Sequence, residues 1–225
     1  MIDRDGFAVC EGVVADALRP ALLRVFDELV GDDAGRRDAL RHPAVAELAQ
    51  SPTVRALAER TLGPAAFAIR ATLFDKHERR NWPVAWHQDR TVPVRARREV
   101  AGFTSWSRKG AVWHVEPDVN VLSRLLAVRV DLDGSHDANG GLRVLPGSHR
   151  LGILTRERID ALLANGGDLC PKVVPGGALL MRPLLLHGSK RAVAAGHRRV
   201  VHLEFCAAPL PDPLEFVDGL GVAAE

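Results

Sequence analysis

Past Gly63-Pro64 the apolar residues of this chain stop recurring every three or four positions and begin to alternate. Before that point two stretches read as amphipathic helices. From 16 to 30, Leu18, Leu22, Val25, Phe26 and Leu29 share one helical face, with Asp16 as N-cap and Pro20 in the first turns. From 43 to 62 a second helical pattern breaks near Ser51-Pro52 and closes at Gly63-Pro64. After it come short strand-like runs at 67–76, 125–132, 141–145, 177–181, 184–187 and 198–205, with 7–10 as a further strand ahead of the helices and a short helix at 159–163. Many short strands joined by Gly and Pro turns, after two helices with large apolar faces, predict a mainly β barrel or jelly roll under a helical cover.

The segment 91–120 is long and irregular, rich in Arg, and carries Trp106 and Trp113. A loop of that length in a compact domain is a lid or binding loop, or else a solvated excursion; two tryptophans are costly to leave in water, which favours the lid. With no internal repeat, linker or low-complexity segment, the 225 residues read as one domain, 1–225, with its core at about 5–207.

Composition excludes several classes. A net charge of +2 and the absence of Tyr leave no basic, aromatic-interleaved platform for nucleic acid. The longest apolar run is far short of the roughly 20 residues that span a membrane. The start, Met1-Ile2-Asp3-Arg4-Asp5, has no apolar core and does not read as a signal peptide. Cys10, Cys170 and Cys206 are odd in number and far apart, as expected of reduced thiols in a cytoplasmic protein.

Chemistry concentrates at Trp86-His87-Gln88-Asp89. In an extended segment residues i and i+2 point the same way, so His87 and Asp89 present an imidazole and a carboxylate to one point while Gln88 turns away. That pair suits divalent iron, with His187, ending an apolar run, as a third ligand; two His and one carboxylate leave three coordination positions open. Alone, the tripeptide also fits a solvated surface strand.

Three stretches taken together resemble the phytanoyl-CoA dioxygenase family of iron(II)/2-oxoglutarate oxygenases: 86–89, the run Asn139-Gly140-Gly141-Leu142-Arg143-Val144-Leu145-Pro146-Gly147-Ser148-His149, and His187-Gly188-Ser189 followed by Arg198. Asp5-Gly6-Phe7-Ala8-Val9 is similar to the family's first strand. The resemblance implies a double-stranded β-helix (jelly roll, cupin-like) core and a dioxygenase that uses Fe(II), 2-oxoglutarate and O2 to hydroxylate an unactivated C–H of a small molecule. It makes His87, Asp89 and His187 the iron ligands and Arg198 the partner of the distal carboxylate of 2-oxoglutarate, supported by Ser189, with Thr72 lining the co-substrate pocket. Arg129 stands where relatives often carry an aromatic residue, and either binds substrate or pairs with Asp131. Halogenating relatives have Gly or Ala in place of the carboxylate ligand, so Asp89 implies oxygen insertion or desaturation. The 139–149 motif reads as mostly turn chemistry, with no catalytic role for His149; His114 and His136 sit in loops and either touch substrate or, the reading favoured here, are solvent-exposed. The substrate and the oligomeric state are not written in these motifs. A zinc-dependent or isomerase-type metal enzyme on a similar barrel, and a barrel kept only for binding, are the competing readings.

Alternation along 198–205 separates Arg198, Val200, His202 and Glu204 from Arg199, Val201, Leu203 and Phe205. Losing one partner of a desolvated charge pair costs about 3–5 kcal/mol. Arg198→Ala should therefore raise the 2-oxoglutarate requirement by at least about a hundredfold, at 1.4 kcal/mol per decade, and Arg199→Ala should change it little. Titration of both variants with 2-oxoglutarate decides; the larger loss at Arg199 would mean the two faces are swapped.

Overall fold

The computed structural model describes residues 2–31 and 33–220. Met1, Asp32 and 221–225, and with them the ends of the expected 1–225 span, lie outside the described residues. A short helix α1 (Ile2–Asp5) and strand β1 (Phe7–Cys10) open the chain. Helix α2 (Arg19–Leu29), a two-residue strand β2 (Gly35–Arg36), and helices α3 (Pro43–Gln50) and α4 (Pro52–Leu62) follow. The β region holds β3 (Phe67–Lys76), β4 (Val84–His87), β5 (Val92–Val94), β6 (Phe103–Lys109) and β7 (Val112–Pro117). After helix α5 (Val119–Leu122) come β8 (Leu125–Asp131), β9 (Leu142–Val144), helix α6 (Arg156–Ala164), β10 (Gly177–Met181), β11 (His187–Ser189) and β12 (Arg198–Cys206).

A six-stranded antiparallel sheet runs β1-β10-β8-β12-β3-β2, and a three-stranded sheet runs β4-β11-β9. Ala127 of β8 and Leu179 and Met181 of β10 pack against Leu142 and Val144 of β9 and against Leu185, which closes the two sheets into a jelly roll. The outer face of the large sheet presents Ala71, Leu73, Val128, Val130, Val201, Leu203 and Phe205 to Leu22, Val25 and Phe26 of α2 and to Val45, Leu48, Val54 and Leu57 of α3 and α4. Each such buried Val, Leu or Phe side chain contributes roughly 1.5–3 kcal/mol, so this helical cover fixes which face of the sheet is apolar. Among the described residues no helix is long and apolar enough to cross a membrane.

Four expectations need correction. Residues 91–120 are not a lid loop: β5, β6 and β7 form an antiparallel sheet in the order β5-β7-β6, packed on Phe67 and Ile69 of β3. Its alternation is hidden in the sequence by a bulge between Thr104 and Ser107, where Ser105 takes a φ of 53°, and by Pro93 in a three-residue strand. Second, α2 begins at Arg19 and not Asp16: Leu18 donates its N–H to Ala15 O at 2.9 Å in a preceding turn, and Pro20 sits in the first helical turn. Third, the run Leu184–Leu186 is not a ladder strand. After the turn at Pro183 the three leucines enter three different apolar clusters, and pairing starts at His187. Fourth, α6 spans 156–164 because Thr155 caps it, accepting from Arg158 N at 3.3 Å.

Gln88 ties the His87 segment into this frame. Its side-chain Nε2 donates to Leu184 O (2.7 Å) and Gly152 O (2.9 Å), and its Oε1 accepts from Leu154 N (2.9 Å). Replacing it by Leu leaves these buried backbone groups unpaired at about 1–3 kcal/mol each. Gln88→Leu should lower the unfolding free energy by about 3 kcal/mol or more in chemical denaturation; an unchanged midpoint would mean that water takes over these contacts.

Candidate metal and co-substrate site

His87 ends β4 and His187 begins β11, and the two are direct partners across the antiparallel pair. Their rings lie 4.2 Å apart, centre to centre. Each places Nδ1 2.8 Å from the carbonyl two residues before it, Ala85 O and Leu185 O. A carbonyl only accepts, so Nδ1 carries the proton in both rings and Nε2 keeps a free lone pair. Those two Nε2 atoms each stand 3.7 Å from an oxygen of Asp89. Asp89 is held from behind by its own N–H, which donates to Pro183 O at 2.9 Å. The three ligand atoms lie within 4.8 Å of one another, a metal-sized gap ringed by two lone pairs and a carboxylate. Burial pushes His187 down to about 4, so it is neutral at physiological pH. Burial alone would raise Asp89, but His187, His202, His87 and Arg70 outweigh it and hold the carboxyl at about 2.

The rest of the site is one face of the large sheet. Register aligns Arg198 with Lys76, His202 with Thr72 and Glu204 with Arg70 across β12 and β3, and His202 with Arg129 across β12 and β8. A cavity of about 310 Å³ opens onto this face, bounded on its other side by His87, His187, Ser189 and Leu142. Arg198, Ser189, Thr72 and Arg129 all line it. Arg198 is buried, and among the described residues its Nε and Nη1 have no partner. Burial, then the nearby Arg129, draws its guanidinium down to about 10. Arg199, by contrast, turns outward and forms a bidentate pair with Asp133.

Several contributors were not singled out from sequence. Lys76 is 1% exposed; its Nζ donates to Ser189 Oγ (3.1 Å) and Lys190 O (2.8 Å) and lies 5.5 Å from the Trp82 ring. Arg70 is paired with Glu204, and Glu204 also accepts from His202 Nε2 at 3.2 Å. His202 Nδ1 in turn accepts from Arg129 Nη1 at 3.3 Å. Arg129 therefore bonds to His202, while its neighbour Asp131, buried and raised to about 6 by that burial, keeps Oδ1 unpartnered among the described residues. His114 is a correction. It lies in β7, is buried, and accepts from Arg70 Nη1 at 3.3 Å; burial and then Arg70 push it down to about 3. His136 is exposed, as expected, at the start of a one-turn 3-10 helix.

The 139–149 motif supports the site from outside. Gly140 takes a φ of 69°, and a Cβ there would meet Lys190 O at 2.9 Å and the Lys76 side chain at 3.0 Å. His149 packs under Gly6, its Nε2 3.2 Å from Asp3 O, away from the cavity.

A cupin-like jelly roll whose interior converges two imidazoles and one carboxylate beside a buried, unpartnered arginine defines a mononuclear metal-site class. Within it, the family model of phytanoyl-CoA dioxygenase (PhyH) matches residues 2–200, and the chain belongs to that family. The ectoine dioxygenase of Streptomyces avermitilis is 28% identical over 141 residues, 55% of this chain and 46% of that relative, so the chain matches about half the length of that protein. In fold it is similar to EctD from S. alaskensis (TM-score 0.69, 22% identity, covering 92% of this chain and 74% of that one). It is also similar to HygX from Streptomyces hygroscopicus, solved with iron bound (TM-score 0.65, 18% identity, 91% and 83% covered).

Proposed function

We propose that this chain is an iron(II)- and 2-oxoglutarate-dependent dioxygenase, one domain over 1–225, that hydroxylates an unactivated C–H of a small molecule. The observation that carries this reading is Arg198: a buried guanidinium with two unpartnered donors, in the same cavity as the His87, Asp89 and His187 lone pairs. A guanidinium fork matches a carboxylate bidentately. Lys76 and the Ser189 hydroxyl stand beside it, so one carboxylate would meet two cations and a hydroxyl at the inner end of the cavity. A zinc hydrolase would not need a cationic end of this kind, and a binding-only barrel would not need the three converging metal donors beside it.

His87, Asp89 and His187 fit a divalent iron by donor type and would hold it on one face. Bound together, iron and 2-oxoglutarate supply oxygen activation coupled to decarboxylation of the co-substrate to succinate. The chain's own residues orient and enclose. Arg198, Lys76, Ser189 and Thr72 would hold the distal carboxylate of 2-oxoglutarate, leaving its keto-acid end for the metal held by His87, Asp89 and His187. His202, Glu204, Arg70 and Arg129 form a continuous hydrogen-bonded floor in which each of these four side chains has a partner. Asp89 fills the carboxylate position, which favours oxygen insertion or desaturation over halogenation. Cys10, Cys170 and Cys206 are all free thiols, in keeping with a reducing, cytoplasmic setting.

Purified protein given Fe(II) and 2-oxoglutarate in air should release succinate, and His187→Ala should abolish both iron binding by metal analysis and succinate release while its circular dichroism stays that of the wild type. Full turnover in that variant would remove His187 from the site.

Lys76 gives the reading a pH signature. Burial, then Arg198 and Arg129, lowers its ammonium to about 8. A bound dianion favours the charged ammonium, so 2-oxoglutarate should bind best below pH 8 and weaken as pH rises through it, by at most about tenfold per unit. Lys76→Arg keeps the charge and should flatten that slope in calorimetric titrations from pH 7 to 9; an equally steep decline in the variant would clear Lys76 of the effect.

A further inference from the structure

The proposed reading leaves two residues in the cavity wall without a task. Five cations and two carboxylates line the cavity. Both carboxylates are engaged: Asp89 faces the two imidazoles, and Glu204 is bonded to Arg70 and His202. Of the cations, Arg198 is assigned to 2-oxoglutarate, Arg70 pairs with Glu204, and Arg129 donates to His202 Nδ1. Arg37 and Lys109 remain. Arg37 follows β2 and is exposed; Lys109 ends β6 and is half-buried, so the two reach the cavity from different elements at its rim. Lys109 Nζ has a hydroxyl partner, Thr91 Oγ1 at 3.3 Å, which supplies no charge. Among the described residues neither Arg37 nor Lys109 is paired with a carboxylate.

Arg90 pairs with Glu116, Arg95 with Glu215 and Arg97 with Glu99 on the neighbouring sheet and segments. Those three arginines are neutralised on the surface, whereas Arg37 and Lys109 reach the cavity without a carboxylate partner. They also repel: burial, then Arg70 and Arg37, lowers the Lys109 ammonium, and His114 behind them is kept neutral. Like charges held around a concave wall are relieved when an anion sits between them.

Resting on the dioxygenase reading, we infer that the substrate is a small carboxylate whose anionic group is held by Arg37 and Lys109 at the cavity rim, with the carbon to be oxidised pointing inward to the metal ligands. The cavity of about 310 Å³ must also take 2-oxoglutarate, which confines the substrate to a small molecule. The two anions then sit at opposite ends, Arg198 with Lys76 inside and Arg37 with Lys109 outside.

The test uses the full chain loaded with Zn(II) in place of iron and saturated with 2-oxoglutarate, so that nothing turns over and the inner end is filled. Small carboxylic acids, each paired with its own primary amide, are compared by ligand-observed NMR. At least one acid should bind about tenfold or more tightly than its amide, as charge-assisted hydrogen bonds do. Lys109→Gln and Arg37→Gln should each reduce that preference, and the double variant should erase it. Equal binding of acids and amides across the panel, or a preference that survives in the double variant, overturns the inference and leaves the dioxygenase reading intact. Failure of the wild type to bind 2-oxoglutarate by calorimetry sinks the dioxygenase reading instead; the double variant still decides whether Arg37 and Lys109 select anions.

Discussion

The contents of the cavity depend on the register in which β12 lies between β3 and β8. Because side chains alternate, that pairing sorts β12 into a face of Val201, Leu203 and Phe205 under the helices and a face of Arg198, His202 and Glu204 over the cavity. A slip of one residue would put Arg199 inside and drive Arg198 into the apolar layer beneath α2. The helical cover prevents this, since Val201, Leu203 and Phe205 have nowhere else to be buried. Register is thus enforced by the hydrophobic side of the sheet and used by the polar side.

Burying so many charges on one face is costly unless each finds a partner. From Arg129 the chain of bonds passes through His202 to Glu204 and back through Arg70 to His114, alternating donors and acceptors without a gap. This explains why His202 and His114 are tied into the interior network and are not spare metal ligands. Among the described residues the buried side-chain atoms without a partner are His77 Nε2, Arg90 Nε, Trp106 Nε1, His149 Nδ1, Asp131 Oδ1 and two on Arg198, Nε and Nη1, and of these residues only Arg198 lines the cavity. An open pair of donors on a buried guanidinium that faces a cavity calls for a partner from outside the chain.

The sequence carried some of this and withheld the rest for identifiable reasons. Local signals worked where periodicity was clean: β3, β8, β10 and β12 alternate or run apolar, and Ser51-Pro52 and Gly63 punctuate the helices. The His87 and Asp89 pairing was legible because two residues on one strand need no tertiary knowledge. Lys76 was not, since its importance comes from lying opposite Arg198, more than a hundred residues away, and touching Ser189. The sheet of β5, β6 and β7 was read as a loop because a bulge and a proline broke its period, and with it His114 was misplaced at the surface. Thr155, three residues before an N–H it caps, was a readable start signal for α6 that periodicity alone undervalued.

The two histidines show how a three-ligand site is divided between stability and function. Both belong to the small sheet, as cross-strand partners, and both spend Nδ1 on a carbonyl two residues back, so neither needs a metal to fix its ring. Asp89 lies just beyond β4, where strand pairing has ended and its backbone is pinned to Pro183 instead. Gln88, between the ligands, anchors to Leu184 and to the segment leading into α6. The proposed ligand set is therefore preorganised by backbone carbonyls and one buried amide, so that a metal bound there would supply coordination and not folding. The large sheet, held by its helices, then contributes only side chains that face anions. One sheet positions the lone pairs and the other the positive charge, and the cavity between them is where the two meet.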